Sequence, residues 1–317
     1  MISTHKPDLR VRFCGIELRN PVIAASGTFG YGVEFEDIIS LTKIGAFVTK
    51  GLSREPMAGN PPPRLIETSA GMLNAIGLQN MGVAAFIEHK LPAIQKLPCP
   101  GIANVFGGCI EDYCAVIRTL NAAEGIVAYE LNASCPNTHS GGMIFGTNTA
   151  MLSELVAQAK SVARRPLIVK LSPNVTNIAA MARAAADTGA DAISLVNTFL
   201  GISIDAKTRR PRLANGTGGV SGPAIKPMAL RMVYEAANAV SIPVIGMGGI
   251  TSTEDVIEFM LAGATAVQVG TASYADPRAV ENIARGLKDW CQRHHVEKIA
   301  SLTHGLEQFH GKVTQRG

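Results

Sequence analysis

The sequence predicts a closed α/β barrel of the (β/α)₈ type, one domain spanning residues 1–317, and three observations carry that prediction. Eight short apolar runs recur along the chain, at 21–26, 46–50, 101–106, 128–132, 167–171, 192–197, 242–246 and 266–270. Amphipathic stretches with helical spacing separate them, at 151–163, 178–188, 224–239 and 253–262. Strands buried on both faces read as unbroken apolar runs, and strands alternating with helices build a parallel sheet. The third observation is size: 317 residues, 47% hydrophobic and 17% charged, suit one barrel with a large core. An open doubly wound sheet is the alternative, but no G-x-G-x-x-G follows the first strand.

Taken in order, residues 11–18 alternate apolar and polar and predict a short N-terminal β-hairpin turning at Cys14-Gly15. Two later connections are too long for simple turns. Residues 52–79 contain Pro56, Pro61-Pro62-Pro63 and Gly71, and are expected to carry a small hairpin. Residues 196–225 read as polar turns ending in a glycine-rich run, Gly216-Thr217-Gly218-Gly219. Both long βα loops follow strand C-termini, so they lie over the C-terminal face, where barrel enzymes keep their sites.

Composition excludes several classes. The net charge is +4 and the basic residues are scattered, the densest group being Lys207, Arg209, Arg210 and Arg212. A nucleic-acid surface concentrates its charge more than this. The N-terminal segment has no apolar signal core, and no apolar run reaches membrane-spanning length. A soluble, cytoplasmic protein with neither nucleic-acid nor membrane partners is expected. Six cysteines form no C-x-x-C pair, which fits a reducing compartment. Cys14, Cys99, Cys109, Cys114 and Cys291 read as packing or incidental residues, and no metal site is expected.

The most informative segment is Glu130-Leu131-Asn132-Ala133-Ser134-Cys135-Pro136-Asn137, followed by Gly141-Gly142 and Phe145-Gly146. A thiol just past a strand end, between two amides, suits chemistry on a small polar molecule, as a proton carrier or as a nucleophile. His139 is the only histidine near it. Polar residues also end the other apolar runs: Ser26, Lys50, Asn104, Asn132, Lys170 and Asn197. Any one of them could be an ordinary loop-edge hydrogen bond; six at one rim imply a ligand. Lys50 and Lys170 have no obvious carboxylate partner in sequence, which implies a bound anion or an electron-rich ring. After the last two strands come Gly248-Gly249, then a helix start at residues 251–255, and Gly270-Thr271. Such glycines and helix N–H groups suit a phosphate, at the place where barrels usually bind one. Asn74, Asn132, Asn137 and Asn197 offer both donors and acceptors to a planar ring.

Residues 72–80 (Met-Leu-Asn-Ala-Ile-Gly-Leu-Gln-Asn), 130–137, 169–174 (Val-Lys-Leu-Ser-Pro-Asn), 221–227 (Ser-Gly-Pro-Ala-Ile-Lys-Pro) and 246–249 (Gly-Met-Gly-Gly) together resemble dihydroorotate dehydrogenase. They match in order and spacing over residues 10–290. The resemblance implies an FMN-binding TIM barrel that oxidises dihydroorotate to orotate in pyrimidine synthesis. A cysteine at the catalytic position resembles the soluble class 1 enzymes, and residues 74–78, the 141–146 loop and Asn197-Thr198 resemble type 1B. That type implies a partner subunit carrying FAD and a 2Fe–2S cluster, passing electrons to NAD in a heterotetramer of two barrels and two partners. This chain has no four-cysteine set to hold such a cluster itself.

The resemblance makes Cys135 the base that removes the C5 proton while a hydride leaves C6 for flavin N5. It assigns substrate to Lys50, Asn74, Ala75, Ile76, Gly77, Leu78, Asn132, Asn197 and Thr198. It assigns FMN to Ser26, Lys50, Gly51, Asn104, Asn132, Lys170, Val196, Gly222, Gly248, Gly249, Gly270 and Thr271. His139 and Met81 depart from the lysine and proline more usual in the family. Competing classes are a phosphosugar isomerase or lyase, which needs no flavin; a dihydrouridine synthase, which needs a basic face; a uracil or thymine dehydrogenase; and a non-enzymatic scaffold.

Overall fold

The structure, a computed structural model, describes residues 6–134 and 145–307. Val11–Phe13 (β1) and Ile16–Leu18 (β2) pair as the expected hairpin, turning through Cys14 and Gly15 at positive φ. The Cys14 thiol donates to the Asp191 carbonyl at 3.1 Å, just before a barrel strand begins. The hairpin therefore covers the N-terminal end of the barrel, opposite its mouth, and buries Val11, Phe13 and Leu18 there.

The remaining strands are Val22–Ala24 (β3), Ala46–Val48 (β4), Leu65–Thr68 (β5), Gly71–Asn74 (β6), Gly101–Val105 (β7), Ile126–Asn132 (β8), Leu167–Lys170 (β9), Ala192–Leu195 (β10), Phe199–Ile202 (β11), Ile204–Asp205 (β12), Arg210–Pro211 (β13), Thr217–Ser221 (β14), Val244–Met247 (β15) and Ala266–Val269 (β16). Of these, β3, β4, β7, β8, β9, β10, β15 and β16 close a parallel barrel in that order. Each of the eight apolar runs is one of these strands. They are buried along almost their whole length because helices cover the outside and side chains fill the inside.

Helices Gly82–His89 (α1), Leu91–Ile94 (α2), Ile110–Asn121 (α3), Thr149–Val162 (α4), Ile178–Asp187 (α5), Lys226–Ala237 (α6), Thr253–Leu261 (α7), Ala272–Ala275 (α8) and Ala279–Arg293 (α9) occupy the connections. Four of them, α4 to α7, lie within two residues of the stretches read from sequence. Asn148 and Asn177 start α4 and α5 by accepting from the Met151 and Ala180 N–H groups, at 3.1 and 2.9 Å. The longer helices the pattern did not flag are α3 and α9. Each still buries one apolar stripe, Tyr113, Val116, Ile117 and Leu120 in α3, and Val280, Ile283, Leu287 and Cys291 in α9.

A second, antiparallel sheet of order β11-β14-β6-β5 stands over the mouth. The hairpin expected in residues 52–79 is its β5–β6 arm. Residues 196–225, expected as polar turns, instead supply strands β11 to β14. Gly218-Gly219 reads as a turn, yet it lies in a central strand paired on both sides, where its neighbours leave no room for side chains. A Cβ at Gly219 would sit 2.0 Å from Thr198 Oγ1, and one at Gly218 would sit 2.6 Å from the Asn74 carbonyl oxygen. Leu73, Ala75 and Leu213 form this sheet's own small core against Ile66 and Val220.

Candidate active site

The C-terminal strand ends and the second sheet enclose one cavity. Parallel strands ending at a common rim bring their last residues together, which is how distant sequence positions meet here. Ser26 follows β3; Lys50 and Gly51 follow β4; Asn104 lies in β7; Asn132 ends β8 and Lys170 ends β9. Val196, Asn197 and Thr198 follow β10, Gly248 and Gly249 follow β15, and Gly270 and Thr271 follow β16. The second sheet adds Asn74, Ala75, Ile76, Gly77 and Leu78 from β6 onward, and Gly222 just past β14. All of these line the same cavity. Cys135, Asn137, His139 and Gly141-Gly142 lie outside the described residues.

At one end of the cavity the backbone is held open by glycine. Gly222, Gly248 and Gly249 have φ of +98°, +126° and +77°. A Cβ on Gly249 would lie 2.8 Å from the Lys226 backbone nitrogen and 2.9 Å from the Gly222 carbonyl oxygen. Only glycine meets both demands. The helix start at residues 251–255, expected to share in anion binding, satisfies part of its own backbone. Asp255 accepts from the N–H groups of Thr251 and Ser252 at 2.7 and 2.9 Å, while the Ser252 hydroxyl accepts from the Asp255 N–H at 3.1 Å. This capping box occupies the first turn of α7. Lys226 adds an ion pair to Asp255 at 2.6 Å. Burial pushes the Asp255 carboxyl up, but Lys226 and the two N–H groups outweigh it and hold the group below its ordinary range. The turns at Gly248-Gly249 and Gly270-Thr271 face the cavity, with Thr251 beside them.

At the other end, amides and hydroxyls form a chain. Asn132 Oδ1 accepts from the Ser134 hydroxyl at 2.7 Å, and Asn197 Nδ2 donates to the same hydroxyl oxygen. Asn197 Oδ1 accepts from the Thr198 N–H at 2.9 Å. Ser134, the residue before Cys135, is thus tied to two strand ends, and sequence reasoning gave it no role. Asn174, the last residue of the 169–174 motif, also lines the cavity; it accepts from the Leu200 N–H at 2.8 Å and donates to the Thr198 carbonyl at 3.0 Å. Lys50 is pushed below its ordinary ammonium pKa by burial, with Arg64 adding repulsion.

The floor overturns one expectation. Lys170 has a carboxylate partner: its Nζ lies 3.8 Å from Glu130 Oε1, and Glu130 is fully buried. Asn104 Nδ2 donates to Glu130 Oε1 at 2.8 Å, the Ser194 hydroxyl donates to Oε2 at 3.0 Å, and Gln268 Nε2 donates to Oε2 as well. Glu130 and Gln268 were both missed. The available signal was a charged or amide side chain inside an otherwise apolar strand. Among the described residues, no three His, Cys, Asp or Glu side chains cluster as metal ligands, and no helix is long and apolar enough to cross a membrane.

A closed parallel barrel whose strand-end amides, lysines and glycine turns line one cavity at its C-terminal mouth defines a (β/α)₈-barrel enzyme. The chain matches the family described as "Dihydroorotate dehydrogenase" over residues 8–290. A "Putative dihydroorotate dehydrogenase A (fumarate)" from Solibacter usitatus is 57% identical over 301 residues, covering 95% of this chain and 99% of that protein. Proteins named "Dihydroorotate dehydrogenase B (NAD(+)), catalytic subunit", from Pelobacter propionicus and Geobacter sp. (strain M21), are each 54% identical over 302 residues with the same coverage. This chain belongs to the dihydroorotate dehydrogenase family, whose enzymes are FMN-dependent oxidoreductases.

The residues present fit FMN. The glycine turns allow a phosphate close to the backbone. Asn104 Oδ1 and Gln268 Oε1 are buried in the cavity lining with no hydrogen-bond partner among the described residues, so they can accept from ring N–H groups. Lys50 and Lys170 supply cations beside them.

Proposed function

We propose that this chain, acting as one domain over residues 1–317, is the catalytic subunit of an NAD-linked dihydroorotate dehydrogenase that converts (S)-dihydroorotate to orotate for pyrimidine synthesis. One observation carries this proposal: a single cavity joins glycine turns at one end to an amide cluster at the other. Gly222, Gly248, Gly249, Gly270 and Thr271 would hold the FMN phosphate. Ser26, Lys50, Gly51, Asn104, Asn132, Lys170 and Val196 would hold its body. When bound, FMN supplies the acceptor for the hydride leaving C6 of the substrate.

The substrate's carboxylate and imide edges match Lys50, Asn74, Asn132, Asn197 and Thr198, with the 75–78 backbone (Ala75, Ile76, Gly77, Leu78) completing the pocket. Each amide offers one donor and one acceptor side to a ring bearing both. Cys135 acts as the base at C5. The Asn132–Ser134–Asn197 hydrogen bonds support that role by fixing the backbone next to it. The Cys135 thiol takes up the C5 proton and forms no covalent bond with the substrate.

The partner would carry FAD and a 2Fe–2S cluster and deliver electrons to NAD, as two barrels with two partners. The 57% identical relative named for fumarate favours a second proposal, an enzyme that reduces fumarate on its own. The test is purification from the native host followed by two assays. Dihydroorotate-dependent NAD reduction only in a complex containing FAD and iron supports the first proposal. Fumarate reduction by the isolated barrel supports the second. Dihydrouracil reducing the bound flavin faster than dihydroorotate would overturn both.

A further inference from the structure

Glu130 lies beneath the cavity, outside its lining, and none of the substrate, cofactor or acid–base roles above uses it. Five strands converge on its carboxylate: its own β8, with Asn104 from β7, Lys170 from β9, Ser194 from β10 and Gln268 from β16. Glu130, Ser194, Asn104 and Gln268 are each 1% exposed or less, so every donor and acceptor here must be satisfied by a neighbour or by a ligand. Four donors face Glu130, which therefore acts as an acceptor at both oxygens.

That fact sets the orientation of two amides. A side-chain amide has an NH₂ end and an oxygen end, and only the NH₂ end can serve a carboxylate acceptor. Asn104 must turn Nδ2 down to Oε1, and Gln268 must turn Nε2 down to Oε2. Their oxygens are then obliged to point away from Glu130. Those two oxygens are the buried, unpartnered acceptors in the lining. Asn104 Oδ1 also lies 3.0 Å from where a Gly51 side chain would begin, so glycine there keeps the approach to it open. The same carboxylate holds the Lys170 ammonium beside them.

We propose that Glu130 is a positioning residue: it turns the Asn104 and Gln268 amide oxygens and the Lys170 ammonium toward the cavity, and so sets the two-acceptor, one-cation face that recognises an N–H-bearing ring. The proposal rests on the assignment of FMN to this cavity. Glu130→Gln keeps the shape of the side chain but places an NH₂ against a neighbouring NH₂. One amide must then flip, presenting a donor to the ring where an acceptor stood. Gln268→Met removes the second acceptor while leaving Asn104, Ser194 and Lys170 on Glu130.

The experiment titrates FMN into apoprotein by quenching of flavin fluorescence and records the bound flavin's absorbance spectrum. It is run for wild type, Glu130→Gln, Gln268→Met and the double variant, with thermal melts of each apoprotein alongside. Wild type failing to bind FMN overturns the cavity assignment itself. If wild type binds, the expected result is at least a tenfold weaker FMN affinity in Glu130→Gln, about 1.4 kcal/mol, with a shifted flavin spectrum. The two single effects should combine to less than their sum, because Glu130 acts in part through the Gln268 oxygen. A lowered melting temperature with unchanged FMN affinity and spectrum would make Glu130 merely structural and overturn the proposal. Should Glu130→Gln fail to fold, Gln268→Met decides alone: unchanged affinity and spectrum refute the proposed acceptor face.

Discussion

Replacing Gly249 with alanine tests the phosphate end of the cavity. The residue has φ of +77°, where an L-residue costs roughly 1–2 kcal/mol relative to glycine. The new Cβ would also lie 2.8 Å from the Lys226 Cβ and backbone nitrogen and 2.9 Å from the Gly222 carbonyl oxygen. No rotamer relieves a Cβ, and two of these neighbours are backbone, so the loop itself must move, at about a further 1–3 kcal/mol. Gly216→Ala is the matched control. Its φ is +78°, nothing lies within 4 Å of its Cβ position, and it is not part of the cavity lining. Denaturant unfolding of the apoproteins should give losses of about 1–2 kcal/mol for Gly216→Ala and about 2–5 kcal/mol for Gly249→Ala. FMN titration should leave the control at wild-type affinity and weaken Gly249→Ala at least tenfold. Wild-type FMN affinity in Gly249→Ala, despite the stability loss, would show that this turn does not hold the phosphate.

Three other outcomes follow from the site. Turnover should rise with pH as the Cys135 thiol ionises; Cys135→Ser should slow it and move the dependence strongly alkaline, and wild-type flavin reduction by dihydroorotate in Cys135→Ala would remove the residue from the chemistry. Lys50, lowered from an ordinary 10.5 by burial and Arg64, should lose its charge early as pH rises, so orotate should bind more weakly on the alkaline side and Lys50→Met should abolish that dependence in an equilibrium titration. Asp255 has a folded pKa below its ordinary 3.8, so its stabilisation is present above that value and lost as pH falls through the folded pKa. Asp255→Asn should cost about 2 kcal/mol at neutral pH and flatten the acid branch of the melting-temperature profile.

The barrel strands were legible because burial on both faces leaves unbroken apolar runs, a signal independent of any partner. The rim was legible for a related reason: a lysine or asparagine ending such a run has no place in a core. Strand β14 was not legible, since Gly218-Gly219 has no strand propensity and is held in one by pairing with β11 and β6. Glu130 was hidden by register. Asn132, not Glu130, lies directly opposite Lys170, and Glu130 lies opposite Ile168 on that side and Asn104 on the other. Aligning strand ends therefore pairs Lys170 with an amide and leaves it without a carboxylate. The Lys170 Nζ nevertheless lies 3.8 Å from Glu130 Oε1. Period-two alternation puts Glu130 and Asn132 on the same inward face, so a carboxylate two residues before a rim amide was a usable sign. Its meaning depended on Gln268, 138 residues away, which only barrel closure brings within hydrogen-bonding reach.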